Sequence, residues 1–101
     1  MILLNKPAYK SEVLKLDPLK PRGFTPEILS SFTKDKGTRT AKEAFVVVEG
    51  GSARVSFAEG GSHLLPPGFS FLLCGAGNLK TFSALSVSKS PLASLSITYF
   101  E

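Results

Sequence analysis

From Ala44 to Cys74 the chain alternates short apolar runs with glycine and proline: AFVVVE, Gly50-Gly51, SARVSF, AEGG, SHLL, PPG, FSFLLC. Runs this short, rich in Val, Phe and Leu and cut by such punctuation, form strands rather than helices. Glu49-Gly50-Gly51-Ser52 stands where a tight hairpin is expected, because glycine accepts positive φ at both central positions without strain. Pro66-Pro67-Gly68 cannot continue a ladder and predicts a turn or bulge before the next strand. The pattern predicts a β-meander that the rest of the chain closes.

The flanks carry the same period of two. In Ser11 to Asp17, Leu14 and Leu16 share one face and Lys15 and Asp17 the other, which predicts a half-buried strand. Pro18, Pro21, Gly23 and Pro26 predict an extended loop. Glu27 to Thr33 is a further strand, with Ile28, Leu29 and Phe32 apolar, and Lys34-Asp35-Lys36-Gly37 is a polar turn. Thr38 to Glu43 accepts either a strand or a single helical turn. Cys74-Gly75-Ala76-Gly77-Asn78 reads as a flexible turn. Leu79 to Val87 reads as a strand, with Leu79, Thr81, Ser83, Leu85 and Val87 on one face and Lys80, Phe82, Ala84 and Ser86 on the other. Lys89-Ser90-Pro91 turns the chain into a closing strand, Leu92 to Phe100, in which Leu95, Ile97 and Tyr99 alternate with Ser94, Ser96 and Thr98. Residues 1–9 read as a tail or edge segment. About eight strands at spacings of about eight to twelve residues, with no helix, predict an all-β sandwich, jelly roll or small barrel.

A chain of 101 residues, 43% apolar, with eight Phe and no Trp, predicts a single ordinary domain. No apolar run approaches the roughly eighteen residues of a membrane helix, and Met1-Ile2-Leu3-Leu4 is too short for a signal peptide, so an intracellular protein is expected. The lone Cys74 allows no disulfide within one chain and, set in an apolar run, is expected to be a buried small hydrophobe rather than a reactive thiol. The net charge of +4 is uneven. Residues 1–42 hold nine basic side chains (Lys6, Lys10, Lys15, Lys20, Arg22, Lys34, Lys36, Arg39, Lys42) against four acidic ones, and residues 43–101 hold three against four. Such a lead could face DNA or an acidic partner. Its charges are spread singly, however: Lys15 and Asp17 point the same way, Lys34 and Lys36 straddle Asp35, and few stacking rings are interleaved, Tyr9 and Phe24 among them. A solvated face is expected, with at most weak non-specific binding of nucleic acid and no membrane contact.

The inventory for catalysis is sparse. One histidine cannot build a site on two. His63, entering a strand at Ser62-His63-Leu64-Leu65, reads as a surface or partly packed residue, with a ligand or base role as the other reading. Glu43, Glu49 and Glu59 are isolated, the last two beside glycine turns. Gly75-Ala76-Gly77-Asn78 has the look of a weak phosphate loop, but a strand rather than a helix is expected after it. No catalytic residue, no cofactor-binding residue and no metal ligand is assigned, and the chain reads as non-enzymatic.

The pattern VVVEGGSARVSF followed by HLLPPGFSFLL resembles the cupin core: apolar strand, short glycine turn, strand, then a Pro/Gly turn into another strand. Cupins are small jelly-roll barrels, many of which hold a metal through a His-rich first motif and a later histidine, ligands that this chain lacks. A closer resemblance is to the C-terminal cupin of the centromere protein C family. There a Lys-Gly turn, as at Lys36-Gly37, precedes a Phe-Val-Val strand, as at Phe45-Val46-Val47. A Gly-x-x-Phe strand start follows, as at Gly68 to Phe71, then a Gly-Asn pair, as at Gly77-Asn78, and a final alternating strand, as at Leu95 to Phe100. The likeness spans roughly residues 27–100. It departs where that family writes Val-Pro-x-Gly-Asn and this chain has Leu73-Cys74-Gly75-Ala76 before Gly77-Asn78. The resemblance implies a cupin-like jelly-roll barrel of about eight short strands over residues 27–101, preceded by a basic extended segment, residues 1–26, with one strand. It also implies a homodimerisation module in assembly of the inner kinetochore, and so a nuclear, centromeric location.

Self-pairing is also expected from the residues. Phe69, Phe71 and Leu73 lie on one side of their strand, Leu72 and Cys74 on the other. A small barrel buries only one face, so a strand apolar on both wants a second cover, and a twofold-related copy is the simplest. Phe69, Phe71, Leu73, Ile97 and Tyr99 are the interface residues expected. Two other classes stay open: a ligand-sensing cupin like the sugar-binding domains of bacterial regulators, and a small metal-free cupin enzyme such as those acting on nucleosides. Convergent polar groups in a pocket would favour either, whereas an interior filled by Phe and Leu would favour assembly.

Overall fold

The computed structural model describes residues 8–24, 30–33, 37–57 and 61–100. In chain order the elements are β1 (Ala8–Lys15), β2 (Ser30–Thr33), β3 (Gly37–Thr40), β4 (Glu43–Glu49), β5 (Ala53–Phe57), β6 (Gly61–Leu65), β7 (Ser70–Cys74), α1 (Ala76–Thr81), β8 (Ser83–Ser86) and β9 (Ser94–Phe100). One sheet has the order β1-β9-β4-β7 and a second β6-β5-β8, while β2 and β3 form a hairpin of their own. Every pairing is antiparallel. Among the described residues the fold is all-β with one short helix. Among the described residues no helix is long and apolar enough to cross a membrane.

Period-two patterning does what it predicts in β1 and β9, and β4, read as an unbroken apolar run, alternates in the same way. Ala44, Val46 and Val48 of β4 and Leu95, Ile97 and Tyr99 of β9 are fully buried, and Leu14 and Leu16 join them from β1 and the residue after it. They meet Ala53, Val55, Leu65 and Ala84 of the second sheet in one core. Burial of apolar surface between the two sheets is the main favourable term holding them together.

The meander is corrected. Strands β4 and β5 are not neighbours: β4 lies between β9 and β7, and β5 lies between β6 and β8. Gly50-Gly51 therefore steps the chain from one sheet to the other, so that Val46 and Val48 face Ala53 and Val55 instead of lying beside them. The step needs its glycines. Gly50 has φ +82°, and a Cβ on Gly51 would lie 2.7 Å from the Cβ of Ser88. Pro66-Pro67-Gly68 makes the return step from β6 to β7, with Gly68 at φ +89°. Within this stretch only β5 and β6 form a hairpin, with Phe57 opposite Gly61.

The expected strand from Leu79 is also corrected, because its first turns are the helix α1. Gly75, at φ +98°, ends the ladder, and the side-chain amide of Asn78 donates to the Cys74 carbonyl at 3.0 Å. Leu79 and Phe82, three residues apart, then fall on one side and are both buried. Alternation holds only after Phe82, where Ala84 and Ser86 are buried with it and Val87 is exposed. A helix does follow Gly75, contrary to expectation, but it is six residues long.

Residues 16–24 seal one side of the sandwich. Leu16 N–H donates to the Ala93 carbonyl at 3.0 Å, Ser86 N–H to Asp17 at 3.1 Å, and Arg22 and Ala84 exchange two backbone bonds of 3.0 and 2.8 Å. The loop expected from Pro18 onward is thereby held against β8. The Ser90–Pro91 bond in the turn before β9 is cis. Residues 1–7 of the expected tail or edge segment 1–9, Pro26 of the expected loop, residues 27–29 of the expected strand Glu27–Thr33, the turn at residues 34–36 and Glu59 lie outside the described residues.

Candidate functional site

The five expected interface residues do not form a surface. Leu73, Ile97 and Tyr99 are 8%, 0% and 0% exposed and belong to the core between the sheets. The Tyr99 hydroxyl donates to Glu12 Oε2 at 3.2 Å. Phe71 packs against the same core, its ring 6.3 Å from Phe82. Only Phe69 stands well out, 43% exposed. Phe71, Leu73, Ile97 and Tyr99 follow the inward phase of their strands, and inward is the phase a folded chain keeps for itself.

The other phase of the four-stranded sheet carries the surface that sequence reasoning assigned to no site. Register places Ser11, Thr98, Phe45 and Leu72 in one row across β1, β9, β4 and β7, and Val13, Ser96, Val47 and Ser70 in the next. These eight side chains include four large apolar ones and not one charge. Val13 is 64% and Leu72 43% exposed, while Phe45 and Val47 in the middle are half-buried. Charges appear only in the rows beyond, as Lys15 and Glu49 at one end and Glu43 at the other. The signal was present in the sequence, in the Leu72 and Cys74 phase of β7, but it needed the register of four strands to become a face.

On the inner side, the sandwich is open between β6 and β7. A cleft of about 280 Å³ lies there, lined by Val55, Phe57, His63, Leu65, Phe69 and Phe71. Its floor is aromatic: Phe57 and Phe71 both lie against Phe82, with ring centroids 5.7 and 6.3 Å away. Among the described residues His63 is the one ionisable side chain in the lining; it sits opposite Val55 in the ladder and is exposed. With five apolar side chains and one imidazole at its rim, the cleft offers little to position a polar substrate.

Cys74 is exposed, not buried as expected, because it falls on the outward phase of an edge strand. Its thiol lies 3.7 Å from Glu43 Oε2. Among the described residues no three His, Cys, Asp or Glu side chains converge to hold a metal ion. Asp17 has a depressed pKa because its carboxylate accepts the N–H groups of Leu19, at 2.7 Å, and Lys20, at 3.0 Å, with smaller help from the charges of Lys20 and Arg22. That carboxylate holds a turn, a structural task. Comparison of the chain with protein-family models, with curated proteins and with solved structures finds no match.

Proposed function

We propose that this chain is a non-catalytic assembly module of cupin-like jelly-roll type that pairs with a second copy through the outer face of its four-stranded sheet. The observation that carries this reading is the pair of uncharged rows, Ser11-Thr98-Phe45-Leu72 and Val13-Ser96-Val47-Ser70. A sheet face left in water alternates apolar-in with charged or polar-out, and a contiguous apolar patch marks an interaction surface. The choice of a second copy follows from charge. The chain carries +4, so two copies repel one another in general, but a face without charge contributes nothing to that repulsion and is compatible with itself. The passage of the chain between two sheets after β4 supports the jelly-roll part of the reading. The resemblance to centromere protein C cupins, which pair with themselves, agrees with it and supplies inner-kinetochore assembly as the setting.

Light scattering at micromolar concentration tests the pairing. Twice the chain mass is expected for the native protein, and the single chain mass for Leu72→Glu with an unchanged circular dichroism spectrum. A native protein that stays soluble and monomeric overturns the reading.

A further inference from the structure

The two sheets meet along two sides, and their edges are treated differently. At the β1 edge the strand carries Lys10, Glu12 and Lys15, and residues 16–24 bridge across to β8. On the opposite side, β6 and β7 are both edge strands. Their sequences, GSHLL and SFLLC, hold no lysine, arginine, aspartate or glutamate, and Leu64 and Leu72 are 56% and 43% exposed. Charged residues, bulges or a cover normally keep a strand edge from pairing with other chains, whereas an uncharged edge is a template for one more strand. The apolar cleft beneath this pair of edges can take alternate side chains of such a strand.

The chain also contains a pair of strands without a sheet. Among the described residues hairpin β2–β3 is paired only within itself, Ser30 to Thr33 against Gly37 to Thr40. A two-stranded hairpin is marginal in water unless it joins a sheet or packs on one. Its strands are four residues each, against five in β7. It cannot reach the edge of β7 in its own chain by a simple reversal. Two residues separate it from β4, and Lys42 already continues the sheet: its N–H donates to Phe100 and its carbonyl accepts from Gly75, both at 2.8 Å. A reversal at Ala41 would set β3 beside β4, whose two edges are taken by β9 and β7.

We propose that in the self-associated protein the β2–β3 hairpin of each copy adds to the free β7 edge of the other and covers its apolar cleft. This rests on the reading of the chain as self-pairing and names the element that the copies exchange. Each copy then supplies what the other lacks, a strand for an open edge and a sheet for a hairpin without one.

Site-directed cross-linking separates this proposal from the reading beneath it. In a Cys74→Ser background, one protein carries Thr38→Cys in β3 and another Ser70→Cys at the β7 edge. The two are mixed, equilibrated and treated with a short bis-maleimide, with light scattering run in parallel. The expected result is a mixed product at twice the chain mass, in at least tenfold excess over either homotypic product. A dimer by light scattering that gives no such excess overturns the exchange and leaves the self-pairing reading in place. So does a chain carrying both cysteines that cross-links within itself at the single-chain mass. A monomer by light scattering ends both.

Discussion

Phe24 and Phe82 stack face to face, with ring centroids 4.5 Å apart and planes 8° from parallel. Phe24 enters from the segment that seals the β1–β8 side, and Phe82 closes α1. Tyr99 meets Phe24 edge-on at 5.7 Å and 81°, while Phe57 and Phe71 meet Phe82 from the cleft. One residue at the end of a six-residue helix thus joins the sealed side of the sandwich to the open one. Truncating a buried Phe to Ala costs about 3–5 kcal/mol, a large share of the ~5–15 kcal/mol that holds a small domain together. Phe82→Ala is expected to lower the urea midpoint by a corresponding fraction, and Phe82→Leu by clearly less. Equal midpoints for native protein and Phe82→Ala would show that the ring is not part of the packed core.

Ser86 is buried among apolar side chains, 3% exposed. Its hydroxyl donates to the Ser88 carbonyl and accepts the Ala93 N–H, at 2.9 Å, so it ties the end of β8 to the entry of β9. Ser86→Ala leaves the Ala93 N–H buried without a partner, a loss of about 1–3 kcal/mol. Urea unfolding is expected to show that loss, while light scattering shows no change in mass.

The glycines predict opposite signs. Gly51→Ala places a methyl group 2.7 Å from Ser88 Cβ and 2.8 Å from its hydroxyl, and Gly50→Ala combines a φ of +82° with a 2.9 Å approach to the Leu92 carbonyl. Both are expected to destabilise, Gly50→Ala by at least about 1 kcal/mol from backbone strain alone. Gly77, inside α1, has open space where a Cβ would go, and Gly77→Ala is expected to stabilise by about 0.5–1 kcal/mol. Thermal melts of the three variants against the native chain check the order.

Asp17 gives a prediction in acid. Its folded pKa lies below the ordinary 3.8 because two backbone N–H groups bind the charged form. The stabilisation this brings is present above the unfolded value and is lost as pH falls through the folded one. Asp17→Ala is expected to be less stable than the native chain at neutral pH, with the gap narrowing below about pH 4, whereas Asp17→Asn retains an acceptor and loses less. A carboxyl resonance of Asp17 that titrates at or above 3.8 would contradict the assignment.

Residue pattern carried the strands better than their arrangement. In β1 and β9 the alternation named the buried positions, Leu14 and Leu16 in and just after the first and Leu95, Ile97 and Tyr99 in the second, because those residues keep one face to the core. It failed at Leu79 to Phe82, since a helix of one and a half turns is too short to show a period of its own and Gly77 and Asn78 argue against one locally. It failed again at Gly50-Gly51. A glycine pair serves a hairpin and a crossing between sheets equally well, and what decides is where Val46 and Val55 can bury, which no window of a few residues contains. The expected interface took the apolar phase of β7 and β9 for the exposed one. Leu72 marked the outward phase, but its companions Phe45, Val47 and Val13 come from strands far apart in sequence.

Pairing of β1 with β9, Leu14 opposite Leu95, has a kinetic meaning. Strands of the two sheets are interleaved along the chain, and the four-stranded sheet lacks one of its central members until β9 has left the ribosome. Such a topology has a high contact order and folds on a scale of about milliseconds to seconds. Through that interval the uncharged edges of β6 and β7 are exposed in a chain not yet closed, so aggregation competes with folding in proportion to concentration. Dilution, more than any gain in native stability, is what should raise the yield of refolding.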